Sequence, residues 1–129
     1  MKSNCKIATA IIVSFVLGGG AVSVLHAQAK LPAYAFVEID VKDQDGYTKD
    51  FLPKAQANIK EGGGKYIAGG FNKAISMSGS PPPARVVLLQ FPDMDAVKAF
   101  NDKEARLETD VGNKYASFRA VGIEGVEQK

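Results

Sequence analysis

From Tyr34 to Val41 the chain alternates, with Ala35, Val37, Ile39 and Val41 on one side and Tyr34, Phe36, Glu38 and Asp40 on the other. A period of two with one wholly apolar side predicts a half-buried strand. The period then changes. After Asp43-Gln44-Asp45-Gly46, whose residues suit a turn and helix cap, Tyr47, Phe51, Ala55 and Ile59 recur at steps of four, which predicts a helix with one apolar stripe. Pro53 lies inside that stripe and has no amide hydrogen, so it is expected to bend or locally break the helix. Gly62-Gly63-Gly64 is expected to end it.

Lys65 to Ala68 reads as a short second strand closed by Gly69-Gly70, and the Ser-, Gly- and Pro-rich run from Ser76 to Ala84 reads as an exposed connection between antiparallel strands. Arg85-Val86-Val87-Leu88-Leu89-Gln90-Phe91 is apolar on both faces and predicts a central strand. Either of its alternating sets, Arg85/Val87/Leu89 or Val86/Leu88/Gln90, can face the helices. Asp93 is the expected cap of a second helix whose buried side carries Met94, Val97 and Phe100. Asn101-Asp102 is expected to interrupt it before Leu107, Val111 and Tyr115 resume the step of four, and Phe118 to Glu127 is the last strand. The fold class is therefore α+β. The order βαββαβ is that of ferredoxin-like folds, a four-stranded antiparallel sheet with two helices on one face.

Residues 1–29 carry a different pattern: a cationic start at Lys2 and Lys6, an apolar run from Ile7 to Leu17, and Ala27-Gln28-Ala29 at the end. These are the zones of an export signal, cleaved after Ala29 or, alternatively, after Ala27. The expectation is a signal peptide over 1–29, a mature domain over 30–129, and a periplasmic or secreted location. A membrane enters only if the signal stays uncleaved, with the apolar stretch read through Gly18-Gly19-Gly20 to Leu25. Cys5 precedes the apolar run, where a lipidated cysteine would follow it.

Removing that segment changes the chemistry, because the single cysteine, Cys5, and the single histidine, His26, both leave with it. Ser-His and Cys-His catalysis and His/Cys zinc sites are thereby excluded from the mature chain. The 16 basic residues lose Lys2 and Lys6, which leaves 14 against 14 acidic ones. A balanced domain gives no electrostatic footprint for nucleic acid, and neither a metal nor a cofactor is expected.

Two helices shelter one side of a four-stranded sheet, and the other side is expected to carry Tyr34, Phe36 and Tyr66 with Val86 and Leu88, or their alternates, on the central strand. An apolar face of that size predicts a homodimer with sheet facing sheet. The segments Ala35-Phe-Val-Glu-Ile-Asp-Val41 with Gly46-Tyr47, Gly63-Gly-Lys-Tyr-Ile-Ala-Gly-Gly70 and Ala84-Arg-Val-Val-Leu-Leu-Gln-Phe-Pro-Asp-Met94 resemble the family called domain of unknown function 1330. The resemblance spans nearly all of the mature chain and implies the dimeric α+β barrel version of the ferredoxin-like fold. Its name carries no activity. Where family members often place an aromatic residue and a Ser-Pro-Glu-Tyr stretch, this chain has Phe100-Asn-Asp-Lys-Glu-Ala-Arg106.

Motifs that suggest specific chemistry fail on spacing. Aligning Gly46 with the sixth position of a calcium loop puts Val41 first and Leu52 twelfth, and neither can bind a cation. Gly62-Gly63-Gly64-Lys65 runs from helix to strand with Tyr66 following, the reverse of a phosphate loop. Asp93/Asp95 and Glu108/Asp110 are expected to be capping or solvated carboxylates. What remains is Glu38, which shares a strand face with Tyr34 and Phe36. If that face lines the space between two sheets, a partly desolvated carboxylate there suits a general base, so Glu38 is the candidate catalytic residue. Arg85, Arg106 and Arg119 are the chain's guanidinium groups, and one of them can meet Glu38 or an anionic ligand. The expected site is an inter-sheet space lined by Tyr34, Phe36, Glu38, Tyr66, Gln90 and Arg119, holding a small, partly apolar molecule. The competing expectation is a structural or protein-interaction module with a packed dimer core, in which Glu38 and Arg119 simply pair at the strand edge.

Overall fold

Four strands and two helical arms occupy residues 30–129, the part of the chain that the computed structural model describes. The export signal expected over residues 1–29, with its cleavage point and membrane alternative, lies outside the described residues. The strands are β1 (Ala33–Val41), β2 (Lys65–Phe71), β3 (Arg85–Phe91) and β4 (Ala116–Glu124), arranged in one antiparallel sheet of order β2-β3-β1-β4. The two most apolar strands are central, where a neighbouring strand on each edge shields their side chains. This is the α+β, βαββαβ arrangement read from the sequence.

The first helical arm begins where Asp43 Oδ1 accepts the Gly46 amide at 3.1 Å. It runs through α1 (Gln44–Gly46), a π-helical stretch (Tyr47–Phe51) and α2 (Leu52–Glu61). Pro53 explains the middle part. The turn before it widens so that the Leu52 amide donates to the Tyr47 carbonyl, and the missing donor of Pro53 falls in the first turn of α2, where no intrahelical partner is needed. The break expected at Pro53 is thus a wide turn, and Tyr47, Phe51, Ala55 and Ile59 all stay buried on one face. At the far end Gly63 takes φ +79°, while the amides of Gly63 and Gly64 reach back to Lys60 at 3.1 Å and Ile59 at 2.8 Å. That paired closure is why the glycine run ends the helix.

The second helix, α3 (Met94–Asp110), is capped by Asp93, whose Oδ1 accepts the Ala96 amide at 2.8 Å. Asn101-Asp102 does not interrupt it. Neither residue removes a backbone donor, and their propensity cost of well under about 1 kcal/mol each is overridden by the packing of Val97 and Phe100. The helix stops earlier than the step of four suggests, because the Tyr115 carbonyl accepts the amides of Lys42 at 2.7 Å and Asp43 at 3.0 Å. Those bonds pull Tyr115 out of the helix and start β4 at Ala116, two residues before the expected Phe118; the strand ends at Glu124.

Both arms lie on one face of the sheet. Ala33, Ala35, Val87, Leu89 and Phe91 meet Ile59, Val97 and Phe100 in one buried cluster, and Ile39 and Ala116 meet Tyr47, Phe51 and Ala55 in another. The choice left open for β3 is settled: Arg85, Val87 and Leu89 face the helices, while Val86, Leu88 and Gln90 face away.

Candidate functional site

Pairing across the sheet places most of the residues singled out above on the uncovered face. Tyr34 stands opposite Gln90, Phe36 opposite Leu88, and Glu38 between Val86 and Arg119. Arg119 Nη1 donates to Glu38 Oε2 at 2.7 Å, with the Arg119 side chain 76% exposed. A pair this open to water contributes at most about 1 kcal/mol. Around it the face is apolar: Val121 and Ile123 are 43% and 49% exposed, and Tyr34, Phe36 and Leu88 are half-buried.

Tyr66 does not join them. Lys65 pairs with Gln90 and Tyr66 with Leu89, but the next pair is Ala68 with Leu88, so Ile67 is an extra, bulged residue. Paired residues share a face, and Leu89 faces the helices; Tyr66 therefore turns to the helix side. The strand also continues through the two glycines expected to close it. Gly69 has φ +95°, and a Cβ there would sit 2.0 Å from the Val86 carbonyl oxygen. Only glycine lets the two backbones pass, so β2 extends to Phe71.

On the helix side, Tyr66 borders a cleft between the sheet and both arms. Its walls are apolar, from Leu52, Ala55, Ile59, Val87, Leu89 and Phe100, and its polar groups are Tyr47, Tyr66, Arg85, Asn101, Glu104 and Glu108. The enclosed space is about 40 Å³. Each polar group comes from a different physical cause. Arg85 is in phase with Val87 and Leu89 and so must point inward; it is 8% exposed, its guanidinium carbon lies 4.9 Å from the centre of the Phe71 ring, and its Nε has no hydrogen-bond partner. Glu104 follows Phe100 by one turn of α3 and is buried with it, its Oε2 accepting from Asn58 Nδ2 of α2 at 3.0 Å. Glu108 is one turn further on.

Burial perturbs these groups. The Tyr47 phenol is pushed up to about 12 by desolvation, against the opposing pull of the Arg85 charge and hydrogen bonding, and Tyr66 is raised by the same cause. Desolvation raises Glu104, with Asn58 acting the other way. Glu108 rises from 4.5 to about 6, first by burial and then by the charge of Glu104. Glu108 is therefore not the solvated carboxylate expected from its neighbour Asp110. The cleft combines one cation, two neutral phenols and two reluctant carboxylates, which can bind an oxygen anion and hold a proton near neutral pH.

Arg85 entered the sequence reading as one of three guanidinium groups able to meet Glu38 or an anionic ligand; Glu104 and Asn58 were not singled out in it. The signal was present as phase: a charged residue at a position where the strand or helix stripe requires an apolar one. Among the described residues no group of three or more His, Cys, Asp or Glu side chains is gathered to hold a metal.

Comparison with known proteins supports the architecture. A family model described as domain of unknown function 1330 matches residues 32–121. A crystal structure of a protein of unknown function from Rhodopseudomonas palustris is similar in fold, with a TM-score of 0.56 at 11% identity, covering 84% of this chain and 94% of that one. No curated protein matches the chain.

Proposed function

This chain belongs to the domain of unknown function 1330 family, and from that premise we propose an exported, homodimeric protein that binds a small, partly apolar molecule in the cleft between sheet and helices. The observation that carries the binding site is Arg85. A buried N–H left unpaired costs on the order of 1–3 kcal/mol, and Arg85 Nε is such a group on a residue that lines the cleft. A ligand oxygen at that place removes the cost. The convergence of Tyr47, Tyr66, Glu104 and Glu108 on the same cleft supports the same reading.

The uncovered face supports a second subunit rather than a ligand. Its apolar residues form a continuous set across β3, β1 and β4, and the ion pair of Glu38 with Arg119 on that face is satisfied within the subunit. We read that pair as structural, holding β4 against β1. Export rests on the three-zone pattern of residues 1–29, and the mass of the protein recovered from its source tests it, with cleavage after Ala27 or Ala29 as the expected result.

Native mass spectrometry of the protein purified from its source tests the binding site. A retained small molecule is expected in the wild type and absent from Ala55→Leu, which adds bulk to the cleft wall. Retention by the filled variant, or a wild type that carries nothing and is not stabilised by small molecules from the same source, would refute the reading.

A further inference from the structure

Resting on the cleft as a ligand chamber, we infer that its ligand is an organic monocarboxylate, the head group entering the enclosed space beside Arg85 and the apolar body lying toward Tyr66 at the mouth. Three observations select this class. Arg85 is the sole cation lining the cleft among the described residues, with its guanidinium carbon 4.9 Å from the centre of the Phe71 ring. Its Nε is without a partner, and a carboxylate with one oxygen on Nε can bring its second oxygen to the neighbouring guanidinium N–H, the fork pairing of one planar group.

Size comes next. The free space beside Arg85 is small, about 40 Å³, so the head group that enters it must be compact. A planar carboxylate is more compact than a tetrahedral phosphate or sulfate. Charge is the third. Glu104 and Glu108 from α3 face the same space, with Tyr47 and Tyr66 from the first arm and β2. A dianion meets both carboxylates at close range; a monoanion meets less repulsion and gains the two phenols as donors. The walls of Ala55, Ile59, Leu89 and Phe100 leave no further polar demand on the body of the ligand.

Proton–nitrogen NMR of the purified full chain reads this directly, since Arg85, Arg106 and Arg119 are the only arginines and each Nε–H gives one signal. Arg106→Lys and Arg119→Lys identify the Arg85 signal by elimination at two exposed positions, without disturbing the buried one. Benzoate, its uncharged counterpart benzamide, and inorganic phosphate are titrated separately. Benzoate is expected to shift the Arg85 Nε–H signal and the Ala55 backbone N–H signal saturably, at least tenfold tighter than either comparison compound. If benzamide or phosphate moves the cleft signals as tightly as benzoate, the ligand class is wrong while the chamber stands. If no probe moves any cleft signal, the chamber fails and the inference falls with it.

Discussion

At Glu108 two effects act in one direction: burial disfavours the carboxylate, and the charge of Glu104 one turn away disfavours it further. The folded protein therefore holds this proton more tightly than the unfolded chain. Between 4.5 and about 6 the folded state binds more protons, so stability from this group is present below that window and is lost as pH rises through it. The full shift would be worth about 2 kcal/mol, reduced to about 1 kcal/mol or less because the side chain is partly exposed. Urea unfolding at pH 4 and pH 7 should show Glu108→Gln level with the wild type in acid and more stable by up to about 1 kcal/mol at neutral pH. An offset that is the same at both pH values would remove the titration from the explanation. Glycines make a second residue-scale comparison. Gly69 and Gly79 both have positive φ, +95° and +79°, but an added Cβ meets the Val86 carbonyl in one case and nothing within 4 Å in the other. Gly79→Ala should cost about 1 kcal/mol from backbone strain alone. Gly69→Ala should cost about 3 kcal/mol or more, because the clash is with backbone that cannot rotate away. Chemical denaturation of the two variants separates the effects. The same residues show what a sequence conceals: the glycine pair reads as a strand end, and only the Val86 backbone reveals that it is the condition for the strand to continue.

Elements were legible where one local cause decides them. Asp93 is followed by an apolar spacing that only a helix can use, and the structure places its carboxylate on the Ala96 amide. Asp93→Ala should therefore destabilise the domain by about 1 kcal/mol, and Asp93→Asn, which keeps an accepting oxygen, by only a few tenths. Equal losses for the two variants, measured by thermal unfolding, would mean that the cap is not what Asp93 contributes. Pro53 was legible as a disturbance but not in its form. A missing donor can be accommodated by a kink or by a wider turn, and the choice depends on whether the stripe of Tyr47, Phe51, Ala55 and Ile59 stays against the sheet. The bulge at Ile67 had no local signal at all, since it is defined by the register of β2 on β3. Its consequence was the misplacement of Tyr66, because one extra residue reverses the face of everything on one side of it. The cleft was hidden for the same reason: Arg85 lies on β3, Tyr66 on β2 and Glu104 on α3, and their meeting is a property of the packed layers.

For the whole molecule the controlling fact is asymmetry between the two faces of the sheet. One face is closed by helices, while the other presents Tyr34, Phe36, Leu88, Val121 and Ile123 with no covering element among the described residues. Each such side chain is already about half covered, so completing its burial gains on the order of 1 kcal/mol, and a second copy offers an identical, self-complementary apolar patch. Val121 stands opposite Phe36 on this face and is 43% exposed in the single subunit. If the face were solvated, Val121→Asp would alter stability by no more than about 0.5 kcal/mol. In a symmetric pair the same change places two like charges in an apolar interface, one from each subunit, so association should be lost while far-UV circular dichroism is unchanged. Sedimentation velocity at micromolar concentration should give a dimer for the wild type and a monomer for Val121→Asp. Mass action supplies an independent check: a wild type stabilised by association should unfold at higher urea concentration as protein concentration rises, and the variant should not. A wild type that sediments as a monomer, with an unfolding midpoint indifferent to concentration, would show that the apolar face is stable against water and that the fold closes without a partner.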